Sequence, residues 1–214
     1  PDAGSDLPGL RTTASLDGDR YLVNGTKIWT SWAKYATWCL LLARTGDAAS
    51  RHRGLTAFVV DLRAPGVEVR PIEQANGTDE LAEVHFADVE VPADRIVGQP
   101  DGGWAVAMHI LSHERGTFAW FRHCFQYQQL LECAREAVGR DDSSIGDALL
   151  DLVSVTATGV EGVVAHSAGA TLGPRAAFTK LLLCAAEQSV HDRVMANDPD
   201  LAVGAQTPEV AVRR

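Results

Sequence analysis

The chain has 214 residues, enough for one large domain or two smaller ones with buried cores. Its net charge is -9 and it has no basic run, which argues against nucleic acid or an anionic membrane as the main partner. Only three of its nineteen basic residues are lysines, and arginine suits phosphate groups, so we expect a small, phosphate-bearing ligand.

The cysteines and apolar runs indicate the cellular compartment. Four cysteines form no C-x-x-C pair and have no histidine cluster at metal-ligand spacing: Cys39, Cys124, Cys133 and Cys184. This pattern is typical of a reducing compartment and of a protein without structural zinc. No apolar run approaches the roughly 20 residues of a membrane span, and no signal-like N-terminus is present. We therefore expect a soluble, cytoplasmic protein without a bound metal.

The first predicted elements are a tight loop of small residues and several short strands. Gly4, Ser5 and Asp6 form a tight loop in which backbone amides can approach a ligand and Ser5 can donate its hydroxyl. A plain turn would use the same residue types. The elements predicted next are a strand over residues 10–16, a hairpin turn at Asp17-Gly18, a strand over residues 21–23 and a turn at Asn24-Gly25.

Residues 21–44 contain the most informative pattern. Two runs of β-branched, aromatic and aliphatic residues flank a polar stretch at residues 31–34, which predicts two antiparallel strands joined by a turn. The stretch contains Trp29, Trp32 and Trp38, and Trp29-Thr30-Ser31 places an aromatic face beside two hydroxyls. Such a face suits a planar heteroaromatic ligand, while the alternative is that the tryptophans fill the core of a small barrel.

Further strands are predicted at regular spacing, over residues 38–44, 55–62, 67–71 and 82–91. This rhythm is typical of an antiparallel barrel or sandwich, not of a doubly wound sheet. No G-x-G-x-x-G and no Walker loop follows any strand, so a nucleotide would not be held by a Rossmann-type phosphate loop. Acidic residues within residues 80–86 alternate with apolar ones and are interpreted as a solvated strand face without catalysis.

The periodicity changes from two to about three and a half near residues 101–103, which predicts a domain boundary and a long helix to about residue 138. The predicted apolar side comprises Trp104, Ala107, Ile110 or Leu111, Phe118, Phe121 and Phe125. Glu114 falls within this side with no cation three or four residues away, and Arg115 lies about 100° around the helix. Glu114 is either solvent-facing or ion-paired at the edge of the apolar side, or a buried base with a pKa raised by desolvation.

Two more helices follow. Residues 141–144 break the first helix and cap a second, and Gly173-Pro174 opens a third. Their predicted apolar sides are Leu149, Leu152, Val153 and Val160, and then Phe178, Leu181, Leu182, Ala185 and Val190. His166 and His191 are interpreted as structural. The chain is thus predicted to be an α+β protein, with an antiparallel β-barrel or sandwich over residues 1–100 and an antiparallel helical bundle over residues 101–214 that a fourth helix would complete.

Four stretches in register over about 115 residues resemble the acyl-CoA dehydrogenase family. They are P-D-A-G-S-D at residues 1–6, N-G-x-K-x-W and W-x-x-L-L-A-R within residues 21–44, V-H-F-A-D-V-E-V-P at residues 84–92, and G-W-A-V-A-M-H-I-L-S-H-E-R at residues 103–115. The resemblance implies that residues 1–100 are the family's middle β-domain. We therefore expect an internal piece of a longer protein, whose N-terminal helical domain is not represented and whose C-terminal domain is incomplete.

The resemblance also implies an FAD-dependent enzyme that oxidises an acyl-CoA thioester to the trans-2-enoyl-CoA. Trp29, Thr30, Ser31 and Ser5 would bind the flavin, and Ser5 would also lie near the acyl-CoA. Glu114 would remove the α-proton, as in the branch that includes isovaleryl-CoA dehydrogenase, and Arg115 would lie near the CoA portion. Electron-transfer flavoprotein is the expected electron acceptor, and a homo- or hetero-oligomer of related chains the expected assembly.

One segment departs from the family. Most relatives follow the first long helix with R-x-x-F-G, whose arginine and aromatic reach the FAD of a neighbouring subunit, whereas residues 134–141 here read A-R-E-A-V-G-R-D. The alternatives are therefore a non-catalytic or half-site subunit of a heteromeric dehydrogenase, or a flavin oxidase or monooxygenase on the same fold. Arg135 and Arg140 are candidates for a substitute phosphate contact.

Overall fold

The computed structural model describes residues 3–75, 77–136, 143–170 and 173–197. The chain divides into two compact units, Pro1–His109 and Ile110–Arg214. The first unit holds all the described strands and the first turns of the first long helix, and the second unit holds the rest of that helix and two further helices. This confirms the predicted α+β class.

The first unit contains one seven-stranded sheet. Its strands are β1 (Thr13–Asp17), β2 (Arg20–Ser31), β3 (Trp38–Arg44), β4 (Leu55–Asp61), β5 (Val67–Ile72), β6 (Leu81–Pro92) and β7 (Ile96–Val97). The order across the sheet is β5-β6-β2-β1-β3-β4-β7. All neighbours run antiparallel except β1 and β3, which share one parallel pair, Thr13 with Arg44. Short 3-10 segments lie at Leu7–Gly9, within Ala48–Gly54, where Arg51 interrupts the helical conformation, and at Ala93–Arg95.

The predicted pairing of the two strands within residues 21–44 is wrong. The strands themselves form, but β1 lies between β2 and β3 in the sheet. Asp17 pairs with Arg20, so the predicted hairpin turn at Asp17-Gly18 brings β1 directly beside β2 and occupies the edge that β3 would have used. On its other edge β2 pairs with β6.

The predicted turn at Asn24-Gly25 is also wrong, because β2 continues through both residues with a shift in register. Gly25 has φ 143, and a Cβ on it would come within 2.7 Å of the Thr12 Cα. The glycine therefore permits a close approach of two backbones, not a reversal of the chain. Asn24 instead links β2 to β6, since its side chain donates to Asp88 Oδ1 and accepts from the Asp88 amide, both at 2.9 Å.

The core of the first unit comes from alternate residues of β1, β2, β3, β4 and β6, and its fully buried members include Val23, Phe58, Val60, Val84 and Val89. Each such side chain contributes about 1.5–3 kcal/mol through burial. The tryptophans are not among them, because Trp29, Trp32 and Trp38 are 60%, 62% and 46% exposed. The interpretation that they fill a barrel core is therefore wrong.

The helices are α1 (Gly103–Glu136), α2 (Ser143–Ser167) and α3 (Gly173–Asn197), as the sequence predicted. The core of the second unit comprises Leu130, Ala148, Leu152, Val155, Leu183, Ala186 and Val190. The predicted fourth helix lies outside the described residues.

The predicted apolar sides of the helices are partly wrong. Phe125 of α1 and Phe178 and Leu181 of α3 are exposed, while Gln126 and Leu183 are buried. The side chains of residues 115–121 lie outside the described part. These helices carry apolar residues on more than one side, so the periodicity did not identify the buried one.

Helix α2 also departs from the expectation that no apolar run is long enough for a membrane. Its residues Ser144–Ser167 are long and apolar enough to span one, by length and composition alone. A core helix of a soluble protein passes the same test. Here Ala148, Leu152 and Val155 of α2 pack in the core of the helical unit, while Leu149, Val153 and Val160, which the periodicity placed on the apolar side, are exposed.

Candidate functional site

A cavity of about 390 Å³ opens in the first unit between the N-terminal loop and the middle of β2. Residues 3–4, 7 and 10–12 form one wall, and residues 25–29 form the other. Its volume lies within the range of about 300–1,000 Å³ that is usual for small-molecule sites. Leucine, isoleucine and tryptophan side chains line it together with a few polar groups, which is the composition of a site for a largely apolar ligand with specific polar contacts.

A β-bulge presents Trp29 at this cavity. Lys27 pairs with Val84 and Thr30 with Ala82, so β2 contains one more residue than β6 between these pairs. Trp29 lies in the bulge with φ 63, and its side chain is exposed while it lines the cavity. Because the bulge interrupts the regular alternation of side chains along β2, the Trp29 indole is exposed at the cavity.

The other predicted flavin residues lie near the same cavity. Gly4 lines it, and the exposed Ser5 follows Gly4 in the chain. Thr30 is half-buried opposite Ala82, and Ser31 is exposed opposite Leu81, so both hydroxyls continue β2 directly after Trp29. We call residues 3–12 the Ser5 loop. The structure brings Trp29 and this loop to one cavity and leaves Thr30 and Ser31 beside it.

Lys27 is a cavity residue that the sequence-based argument missed. It is half-buried, and its Nζ donates to the Leu42 carbonyl of β3 at 2.8 Å. Burial lowers the pKa of Lys27 to about 8, an effect that the nearby Cys39 partly offsets, and burial raises the pKa of the Cys39 thiol to about 11. A single lysine within β2, in a chain with only three lysines, is the sequence signal that points to this residue.

Glu114 and Arg115 lie on α1 in the helical unit. Glu114 is exposed in the described part of the chain. This agrees with the interpretation of Glu114 as a solvent-facing residue and not with that of a buried base. The side chain of Arg115 lies outside the described part, as does Arg140, while Arg135 is exposed near the end of α1.

His166, interpreted as structural, contacts the ring of His113 with centroids 5.4 Å apart.

The residues at the cavity suit a planar heteroaromatic group. An exposed indole can stack on such a ring, and neighbouring hydroxyls can bond to its polar edge. Trp29, Thr30 and Ser31 supply both features in consecutive positions. Within the described residues, no group of three or more His, Cys, Asp or Glu side chains could hold a metal ion.

Comparison with known protein families and curated proteins gives consistent results. Residues 1–89 match the family model described as "Acyl-CoA dehydrogenase, middle domain". The chain is 45% identical over 152 residues to acyl-CoA dehydrogenase IpdE1 of Mycobacterium tuberculosis, covering 70% of this chain and 40% of the relative. The Mycolicibacterium smegmatis IpdE1 is 41% identical over 163 residues, covering 70% and 42%. The chain therefore spans about two fifths of the length of these relatives.

Solved structures agree with the sequence relatives. The Tcur3481-Tcur3483 steroid ACAD variant superposes with a TM-score of 0.82 at 26% identity, covering 92% of this chain and 53% of that one. An acyl-CoA dehydrogenase from Mycobacterium smegmatis superposes with a TM-score of 0.87 at 25% identity, covering 97% and 58%.

Proposed function

Because the chain belongs to the acyl-CoA dehydrogenase family, we propose that it supplies the middle β-domain and part of the C-terminal helical domain of an FAD-dependent acyl-CoA dehydrogenase. The proposed reaction converts an acyl-CoA thioester to its trans-2-enoyl-CoA. One observation carries the proposal, namely the cavity that joins the Ser5 loop to the Trp29 bulge within the residues that match the family's middle domain.

The residues at this cavity have distinct proposed roles. Trp29 would pack against the face of the flavin ring, and the hydroxyls of Thr30, Ser31 and Ser5 would bond to its polar edge. Ser5 also contacts the acyl-CoA. FAD, when bound, supplies the acceptor for the hydride that leaves the β-carbon of the substrate.

Glu114 is the proposed general base. Its carboxylate accepts the proton from the α-carbon as that C–H bond breaks, and the bonding electrons form the new double bond between the α- and β-carbons. Arg115 is proposed to contact the CoA portion, because a guanidinium forms charge-assisted hydrogen bonds with phosphate oxygens.

Substitution of Glu114 tests the proposed mechanism. In the full-length protein, Glu114→Gln should lower the rate of dehydrogenation by about 10²–10⁴-fold, because loss of a general base costs that much. FAD content and acyl-CoA affinity should stay close to those of the wild type. Glu132→Gln, which changes another exposed glutamate of α1, is the matched control. Flavin bleaching by substrate at a near-normal rate in Glu114→Gln would refute the assignment.

The acyl group can be identified from the flavin spectrum. The full-length protein should be titrated with straight-chain, branched and steroid CoA thioesters, the last because one structural relative is named a steroid ACAD. The thioester that bleaches the flavin defines the substrate. Rapid reoxidation of the reduced flavin by oxygen would favour the oxidase or monooxygenase alternative over the dehydrogenase.

The assembly and the electron acceptor are proposals of the same kind. We propose an oligomer of related chains in the cytoplasm, with electron-transfer flavoprotein as the acceptor. The name of the Tcur3481-Tcur3483 steroid ACAD joins two designations, which supports an assembly of two related chains.

A further inference from the structure

Arg44, the last residue of β3, is a buried cation bonded to main-chain carbonyls. The residue is 8% exposed. Its Nε donates to Leu10 O at 3.2 Å and its Nη2 to Pro8 O at 2.5 Å, while its Nη1 donates to Asp47 O and Arg51 O, both at 3.1 Å. Burial of a charge costs free energy unless its donors are bonded, and here all three guanidinium nitrogens donate.

Two of the carbonyls that the Arg44 side chain binds, those of Pro8 and Leu10, belong to the segment that forms one wall of the cavity. Leu7, Leu10 and Thr12 line it, and Pro8 lies between the first two. The backbone amide of Arg44 also donates to Thr12 O at 2.7 Å. One residue therefore holds three carbonyls of residues 8–12 in place.

The opposite wall is attached to the same strand. Lys27 of β2 donates to Leu42 O, two residues before Arg44. Since β2 and β3 are not neighbours in the sheet, this bond is a direct link between the cavity-lining part of β2 and β3. The end of β3 thus fixes both the loop wall and the strand wall.

We propose that Arg44 is a positioning residue that sets the distance between the Ser5 loop and β2, and thereby the affinity of the cavity for its ligands. The inference rests on the proposed function for the identity of those ligands, FAD and an acyl-CoA. Arginine is required because its planar fork reaches carbonyls of two separate segments, residues 8–10 and 47–51, whereas a lysine ammonium is a single point donor.

The test uses Arg44→Lys and Arg44→Ala in the full-length protein, with Arg20→Lys as the matched control. Arg20 is an exposed arginine whose side chain bonds to Asp17 and Glu90. Amide hydrogen exchange of residues 3–12 reports on the loop without reference to any ligand. It should become about tenfold faster in both Arg44 variants and stay unchanged in Arg20→Lys, while exchange in β4 and β6 shows that the fold is retained.

Ligand binding provides the second measurement. The dissociation constant of FAD and the KM for the acyl-CoA should rise by about ten- to a hundredfold in both Arg44 variants, with a smaller change in kcat. Methylguanidinium at millimolar concentration should restore much of the affinity in Arg44→Ala, which leaves a space for it, and none in Arg44→Lys.

The outcomes separate the two proposals. Unchanged exchange in residues 3–12 of Arg44→Lys would overturn the positioning role. Faster exchange with unchanged FAD and thioester affinity would overturn the link between the loop and the ligands. If the wild-type protein binds neither FAD nor any acyl-CoA, the proposed function fails, while the exchange measurement still decides whether Arg44 holds the loop.

Discussion

Trp29 and Trp32 both adopt left-handed backbone conformations, with φ 63 and 62. A bulky residue rarely does so, because its Cβ crowds the following carbonyl, and the cost is about 1–3 kcal/mol per residue. Such strain persists where the surrounding structure enforces it, often at ligand sites. At Trp29 the enforcing feature is the bulge against β6, which directs the indole to the cavity.

Substitution of Trp29 should therefore affect ligand binding much more than stability. Trp29→Ala is expected to weaken FAD retention by roughly 1–3 kcal/mol and to alter the flavin spectrum, because the stacking contact is lost. Unfolding should change little, since the side chain is 60% exposed, whereas loss of a core tryptophan costs about 3–5 kcal/mol. Flavin titration and urea denaturation check both expectations. A large loss of stability with unchanged flavin binding would contradict the assignment.

At the residue scale, the sequence indicated which residue types could bind a ligand, but not whether each side chain is exposed or buried. Trp29, Thr30 and Ser31 were recognisable because an aromatic and two hydroxyls are consecutive. The bulge that exposes Trp29 could not be predicted, since it depends on the register with β6, which is about fifty residues away in the chain. The burial of Lys27 and Arg44 was equally hidden, because their partners are main-chain carbonyls that carry no sequence signal.

At the element scale, the positions of β3 to β6 were predictable from composition, whereas the predicted strands over residues 10–16 and 21–23 differ from β1 and β2. Strand neighbours were not predictable. The predicted spans over residues 38–44, 55–62, 67–71 and 82–91 differ from β3, β4, β5 and β6 by one residue at most at each end. The placement of β1 between β2 and β3 follows from long-range pairing. A local pattern is equally compatible with either neighbour.

Lys27 should make the link between β2 and β3 sensitive to pH. Folding lowers its pKa from 10.5 to about 8, so the unfolded chain binds more protons between these values and the free energy of unfolding rises with pH there. Cys39 acts in the opposite direction between about 9 and 11, because folding raises its pKa. Stability should therefore rise between pH 8 and 9 and then level off as the two effects oppose each other.

Lys27→Met isolates the lysine contribution. Without the lysine, the rise above pH 8 should disappear and only the decline from pH 9 to 11 caused by Cys39 should remain. The difference between the two proteins should change by about 3 kcal/mol from pH 8 to 10.5, because each pKa unit corresponds to about 1.4 kcal/mol. Urea denaturation at several pH values measures it. A pH profile with the same shape in both proteins would show that Lys27 is not desolvated.

The helices provide a matched pair that tests which side is buried. Leu183 of α3 is fully buried, while Leu181, which the periodicity placed on the apolar side, is 70% exposed. Leu183→Ala should lower the free energy of unfolding by about 2–5 kcal/mol because it leaves a cavity. Leu181→Ala should change it by about 0.5 kcal/mol or less. Thermal denaturation of both variants decides between the two sides, and equal losses would contradict the observed packing.

At the scale of the whole molecule, the change of periodicity predicts two regions that meet near residue 101, whereas the two compact units meet between His109 and Ile110, within α1. Specific motifs lie in the first 115 residues, where backbone approaches and an exposed aromatic constrain the sequence. The helical part left a weaker signal, because many apolar sequences satisfy the same helix packing. In the β-unit the residue types themselves indicate Trp29, Thr30 and Ser31 as ligand contacts, whereas the role of Glu114 follows mainly from the family resemblance, and both assignments stay predictions.

The assembly can be tested through one residue of the segment that departs from the family. Residues 135–139 read R-E-A-V-G, so the chain keeps the arginine and glycine of R-x-x-F-G and has Val138 in place of the aromatic. This segment continues past the described end of α1. If the segment serves the cofactor of a neighbouring subunit, as the family resemblance implies, a homo-oligomer would place a surface without the aromatic against every flavin.

We therefore expect the protein expressed alone to hold fewer than one FAD per chain, and more when it is co-expressed with a related chain that carries the aromatic. Val138→Phe completes R-x-x-F-G and should raise the flavin content of the homo-oligomer, because a stacking contact of about 0.5–1.5 kcal/mol corresponds to a severalfold to tenfold gain in affinity. Val138→Leu, which adds volume without a ring, is the control. Flavin absorbance per chain and native mass measure stoichiometry and assembly. A flavin-replete, active homotetramer of the unmodified chain would refute the need for a partner and assign the phosphate contact to Arg135 or Arg140.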